Sequence, residues 1–206
     1  MVPWTTLVDE LTAYLTDAAH PVMLDEVRAS ARDYFELSRV WRAASVSFGS
    51  TVALQSAYTF TPPADTDMVG LPAIWVGGRE VGEMVPGDSD DIEPGEVGTA
   101  KLARVIARDT LQLLPTPVAG GEAIVATVAY APGSGASGLD DDLYRRHREP
   151  IIHRALSRMF RHKARPYYDP RESARHESLY LALALDRSSD AGPIRRNRLR
   201  VKPSPV

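Results

Sequence analysis

The stretch from Asp140 to Asp186 constrains the fold most, because its apolar residues keep a helical period through two segments separated by a proline-bounded turn. In the first segment, residues 143–162, the side chains of Leu143, Ile151, Ile152, Ala155, Leu156, Met159 and Phe160 fall largely on one face, led in by Leu139. Arg145, Arg146, Arg148, Arg154, Arg158 and Arg161 occupy much of the remainder. An apolar stripe flanked by a basic surface predicts a helix packed on one side only. Asp140, Asp141 and Asp142 supply an N-cap and first-turn carboxylates for it. Pro166 and Pro170 bracket Tyr167-Tyr168-Asp169, so the first arm stops near Arg165 and a second, residues 171–185, restarts at Pro170. Pro150 lies inside the first arm, where the lost backbone donor predicts a kink or a division.

The other end of the chain is helical as well. Leu7, Leu11, Tyr14 and Leu15 recur at helical spacing, with His20-Pro21 expected to end that helix, and Leu24, Val27, Ala31, Tyr34 and Phe35 form the buried face of a second. Alternation begins at Ser45-Val46-Ser47-Phe48, with Trp41 placed to plug the junction. From there to Pro132 the chain is cut by Gly49-Ser50, Pro62-Pro63, Gly77-Gly78, Pro86-Gly87, Pro94-Gly95 and Gly120-Gly121. Strands are predicted over residues 43–48, 58–60, 68–76, 97–106, 110–114 and 123–131, with a two-residue hairpin turn at Gly77-Gly78 and a short reversal at Ala107-Arg108-Asp109.

Two helices, several strands and two more helices predict an α+β fold. The expected architecture is an α-helical bundle built from both ends of the chain, residues 1–42 and 139–188. An antiparallel β-module over residues 43–132 is inserted into it, residues 133–138 serve as a Gly/Ser connector, and residues 189–206 form an extended basic C-terminal arm. That arm carries Ile194, Arg195, Arg196, Arg198, Leu199, Arg200, Val201 and Lys202 with no acidic residue after Asp190.

Composition bounds what such a chain does. With 44% hydrophobic and 25% charged residues and a net charge of -3, neither general disorder nor an overall nucleic-acid-binding surface is indicated. Zero cysteines exclude disulfides and thiolate sites, and no apolar run approaches the roughly 20 residues of a membrane span. The start MVPWTTLVDE has no signal-peptide pattern, so the expectation is a soluble, unexported chain.

Each possible site fails its own context. Gly133-Ser134-Gly135-Ala136-Ser137-Gly138 is literally GxGxxG, but Asp140-Asp141-Asp142 follow where a pyrophosphate would sit, and no second parallel strand supplies a ribose-binding acid. His147, His153, His162 and His176 lack the spacing of a helical zinc pair and are interleaved with arginines, which predicts surface and turn contacts and no metal. Asp88, Asp90, Asp91, Glu93 and Glu96 miss the calcium-loop offsets and read as a solvated loop. No serine lies in Gly-x-Ser-x-Gly. Hence no catalytic residue, no metal, no cofactor and no enzymatic activity are expected.

The hairpin does resemble a family. Leu139-Asp140-Asp141-Asp142-Leu143-Tyr144, then Glu149-Pro150-Ile151-Ile152-His153-Arg154-Ala155-Leu156-Ser157-Arg158-Met159, then Arg165-Pro166-Tyr167-Tyr168-Asp169-Pro170 and Ala174-Arg175-His176-Glu177 look like the C-terminal half of tailed-phage head-to-tail adaptor proteins. These are also called head-completion or connector proteins and include the gatekeeper-type tail tubular protein. Phe35 to Arg42 resembles that family's helix end before the first strand, and Asp109 to Pro117 its strand and Pro-x-Pro turn. Pro150 inside the helix, and Tyr-Tyr where tryptophan is common, depart from the pattern.

The resemblance implies a structural virion protein at the head–tail interface, made in the host cytoplasm. It implies a homo-oligomeric ring, usually dodecameric, that binds the portal protein and bridges it to a tail, nozzle or terminator protein. Double-stranded DNA would pass through the lumen without sequence-specific binding. The same family inserts C-terminal tails between portal subunits, which makes Ile194, Arg195, Arg196, Arg198, Leu199, Arg200, Val201 and Lys202 the expected portal-binding residues. In such a ring the hairpin's basic face is expected to meet acidic groups of a neighbour, such as the Asp140 to Asp142 cluster. The alternatives are a small nucleic-acid-binding protein acting through its basic tail, and an enzyme whose site follows no recognised motif.

Overall fold

The computed structural model describes residues 1–84 and 96–190. In chain order these form β1 (Val2–Pro3), α1 (Trp4–Thr12), α2 (His20–Ser38), β2 (Arg42–Ser50), β3 (Ala57–Thr59), β4 (Thr66–Val76), β5 (Arg79–Glu83), β6 (Val97–Gly98), β7 (Leu102–Ala107), β8 (Thr110–Leu114), β9 (Thr116–Pro117), β10 (Ala123–Pro132), β11 (Gly138–Leu139), α3 (Asp141–Met159) and α4 (Pro170–Asp190). The main sheet has seven strands in the order β2-β10-β4-β5-β7-β8-β3. It curls, bringing its edge strands β2 and β3 towards each other.

This corrects the expected architecture. The fold is a sheet-based α+β fold and not a helical bundle carrying an inserted antiparallel module. The sheet is mixed, since β5 and β7 run parallel with Gly82 opposite Leu102. The helices also do not bury their apolar faces only in one another. Tyr34 and Phe35 of α2 share a core with Ala131 of β10, Val69 of β4 and Trp41. Trp41 touches the second core as well, in which Phe48, Leu71, Ile74, Leu111, Leu113 and Ile124 fill the curl. A 3.6-residue period reveals that a helix has an apolar face and says nothing about which element covers it.

The α2–sheet junction is fastened by polar groups. Arg39, the C-cap of α2 at φ 51°, donates its N–H to the Phe35 carbonyl at 2.9 Å and pairs through its guanidinium with Glu83 of β5. Glu83 in turn accepts the Leu71 N–H at 2.9 Å. Gly70 makes room for this arrangement, because a Cβ there would lie 2.9 Å from the Arg39 Cζ. Arg32 reaches Asp67 at 2.6 Å from the same helix.

Several boundaries moved for identifiable reasons. His20-Pro21 opens α2 instead of ending α1; proline is tolerated in a first turn, where its N–H would have no helical partner. The predicted 97–106 strand is two, β6 and β7, and Lys101 between them donates its N–H to Leu114 at 2.9 Å. Strand β5 was hidden by its charged residues Arg79, Glu80 and Glu83. Helix α3 runs unbroken through the buried Pro150. Gly77 and Gly78, at φ 57° and 79°, do form the turn between β4 and β5.

The 133–138 connector is tied down and not merely a spacer. Gly133 donates its N–H to the Asp65 carbonyl at 2.8 Å, Trp4 Nε1 donates to the Ala136 carbonyl at 2.6 Å, and β11 pairs with β1. A Cβ on Gly138 would stand 2.0 Å from the Val2 carbonyl oxygen. Close backbone approach thus accounts for this glycine of the GxGxxG run without a nucleotide.

Candidate assembly surface on the helical hairpin

Helices α3 and α4 pack as the expected hairpin, with α2 against them. The basic surface predicted for α3 is turned partly inward. Arg154 donates from Nε and Nη2 to Asp33 Oδ2 of α2 at 3.0 and 2.9 Å, and from Nη1 to both oxygens of Glu177 on α4 at 2.8 and 2.7 Å. Its guanidinium lies 5.0 Å from the centre of the Tyr180 ring. Arg158 pairs with Glu26 and with Asp33, and Arg161 reaches Ser173 at 3.1 Å and Glu177 at 3.6 Å. Arg148 sits 3.7 Å from Glu10, and Arg146 3.2 Å from Asp142. The acidic cluster is engaged too, with Asp141 2.8 Å from the N-terminal amine.

Burial alone would raise the Glu177 carboxyl, but hydrogen bonds from Ser157 and Arg154 and the charges of Arg154 and Arg161 outweigh it and hold the group below its ordinary value. For Arg154, burial disfavours the charge and the hydrogen bonds to Asp33 and Glu177 overcome that, raising it. Both groups stay ionised at neutral pH. Three helices are therefore riveted through charge-assisted bonds, which fix their relative register.

Beside this network lies an open cleft lined by Asp33, Glu36, Leu37, Arg154, Glu177, Tyr180 and Leu181. Its rim is apolar and exposed: Leu37 and Leu181 are each 41% accessible, and further along α4 Leu185 is 53% accessible. Helix α4 thus has two apolar faces, an inner one with Tyr180 and Ala184 buried and an outer one on which Leu181 is exposed.

A second exposed apolar group stands at the far end of the sheet. Val52 and Leu54 follow β2, and Val118 follows β9; Leu54 is 72% accessible and held at φ 61°. The loops carrying them are pinned. Leu54 donates its N–H to the Pro117 carbonyl at 2.9 Å, Thr51 to Glu122 at 2.8 Å, and Tyr58 Oη bridges Val52 N–H and the Gln55 carbonyl. A bulky residue at positive φ is strained and is kept by surrounding bonds. The sequence signal that would have found this tip is the absence of any charged residue across 51–64 and 110–121.

The histidines are less superficial than predicted. His147 and His176 are each only 7% accessible. His147 meets the Tyr34 hydroxyl at 2.8 Å through Nδ1, and burial, with Arg187 and Arg146 nearby, pushes its pKa down to about 4. Burial lifts the Tyr34 phenol to about 12. Neutral imidazole and neutral phenol thus pair in the core. Among the described residues no three or more His, Cys, Asp or Glu side chains are grouped to hold a metal ion.

A pH effect follows from His147. The folded pKa lies below the unfolded value, so this residue's contribution is complete above pH 6.5 and is lost as pH falls towards 4. The drop corresponds to roughly 3 kcal/mol. Urea titrations from pH 7 to 4 should show that loss, and a His147→Gln variant should show a shallower acid slope.

The predicted portal-binding residues Ile194, Arg195, Arg196, Arg198, Leu199, Arg200, Val201 and Lys202 lie outside the described residues, as do the acidic residues Asp88 to Glu93. A scan against protein-family models finds no match, and a search of curated proteins finds no similar chain.

Proposed function

We propose that the chain is a structural adaptor of the head-to-tail type, working as a ring between a portal and a tail component. The observation that carries this reading is the presence of two separate exposed apolar groups, one on α2 and α4 with Leu37 and Leu181, the other on the loops after β2 and β9 with Val52, Leu54 and Val118. The 10 residues of β10 run from the loop end at Ala123 to the helix end at Pro132, a span of roughly 30 Å for an extended strand. A protein that links two partners needs a stiff body with a contact surface at each end. The ion-paired helices and the curled sheet supply the stiffness. The hairpin's resemblance to the adaptor family gives the partners: portal protein, tail-side ring, copies of the chain itself and DNA in the lumen.

The basic segment 195–206 is the portal-docking arm in this reading. In this reading each copy binds weakly through its segment, and the many copies of a ring bind firmly. Deleting residues 195–206 should leave thermal unfolding unchanged and yield heads that package DNA but lose it or fail to join tails. Truncated protein that still decorates portals and restores infectivity would remove the arm's role.

A further inference from the structure

We propose that His153 of α3 and His176 of α4 share one proton and form a pH-sensitive clasp between the two arms of the hairpin, released when a second proton binds. Their Nδ1 atoms stand 2.9 Å apart. A contact of that length between ring nitrogens requires one Nδ1 to carry hydrogen and the other to offer its lone pair. Each Nε2 faces a carboxylate one turn earlier on its own helix, Glu149 at 4.0 Å and Glu172 at 3.8 Å. The spacing Glu-x-x-x-His thus occurs on both arms and converges at one point.

With one added proton, every ring nitrogen has a role. Both Nε2 atoms carry hydrogen towards a carboxylate, and the Nδ1 atoms share the hydrogen between them. A second proton places hydrogen on both Nδ1 atoms and two positive charges at contact distance, so the rings must separate. Aromatic rings cover the His176 side of the pair: Phe160 stacks on His176 at 5.8 Å, and Tyr14, from the segment after α1, meets its edge at 6.4 Å.

The charged groups facing the pair are Glu149 from α3 and Glu172 and Arg175 from α4. Burial lowers the pKa of both histidines. Arg175 acts the same way on each, His153 does so on His176, and the two glutamates oppose the shift without cancelling it. Because the folded values are depressed, the clasp contributes fully above the ordinary value of 6.5 and is lost as pH falls below it. Release loosens α4, the helix that exposes Leu181 and Leu185. This inference does not depend on the adaptor reading.

The test uses the full chain. Nitrogen-15 NMR at neutral pH should show one protonated and one unprotonated Nδ1 coupled across the contact, and acidification should protonate the pair in two separated steps. Hydrogen exchange of α4 amides should report an opening equilibrium that rises roughly tenfold per pH unit across the second step, one proton being taken up. His153→Asn keeps a donor and acceptor near the Nδ1 position but leaves only His176 to take up a proton, so the second step and its slope should vanish while the single step of His176 remains. Identical tautomers in both rings, a single independent titration step, or an equal acid slope in the variant would each overturn the proposal.

Discussion

Replacing Arg154 with alanine should lower unfolding stability by about 3 kcal/mol, the lower part of the range for removing one partner of a shielded ion pair. The side chain is 20% exposed and holds Asp33 and Glu177, themselves 32% and 24% exposed, from two different helices. Its removal leaves Glu177 with Ser157 at 2.8 Å and Arg161 at 3.6 Å, and Asp33 with Arg158 at 3.2 Å. Neither carboxylate is fully orphaned, so the larger values of that range are not expected. Arg154→Lys should recover little, since an ammonium cannot make the forked contacts to two carboxylates at once. Arg154→Met should recover part, by keeping apolar contact with Tyr180. Urea unfolding with an unchanged m-value is the measurement; a loss under about 0.5 kcal/mol, as exposed pairs show, would mean that the network does not hold the helices together. Because the Glu177 carboxyl lies below its ordinary value, its share is present above that value and disappears as pH falls through the folded one.

Trp4→Ala should cost about 3–5 kcal/mol, the usual range for deleting a buried tryptophan side chain. Trp4 is 2% accessible, opens α1 directly after β1, and closes the helical core together with Leu139 and Ala136. The change also strands the Ala136 carbonyl, which accepts the indole N–H. Trp4→Phe separates these effects: it keeps most of the apolar volume and loses the hydrogen bond, for a cost near 1–2 kcal/mol. A thermal midpoint for Trp4→Ala close to that of the unaltered protein would show that the N-terminal segment is not part of the core.

What could be read from the sequence was the order of elements. The hairpin, the Gly77-Gly78 turn and most strands follow from local period and turn chemistry, which neighbouring residues determine. What could not be read was the layer arrangement. The burial of α2 against β10 depends on residues about 100 positions away, and the apolar face of α2 looks the same whether helix or sheet covers it. Strand β5 does not show in the sequence because Arg79 and Glu83 are spent on Glu122 beside β10 and on Arg39 at the end of α2, contacts that no window of sequence displays. The hairpin arginines were legible as a basic face, but their acidic partners on α2 were not. His153 and His176, 23 residues apart, meet only because the hairpin closes.

The adaptor role itself is tested most directly by electron microscopy of purified virions that carry this chain. A ring of density for it at the junction between portal and tail, surrounding the DNA channel, is the expected result. Density for the chain anywhere else in the particle, or its absence from the particle, would contradict that role.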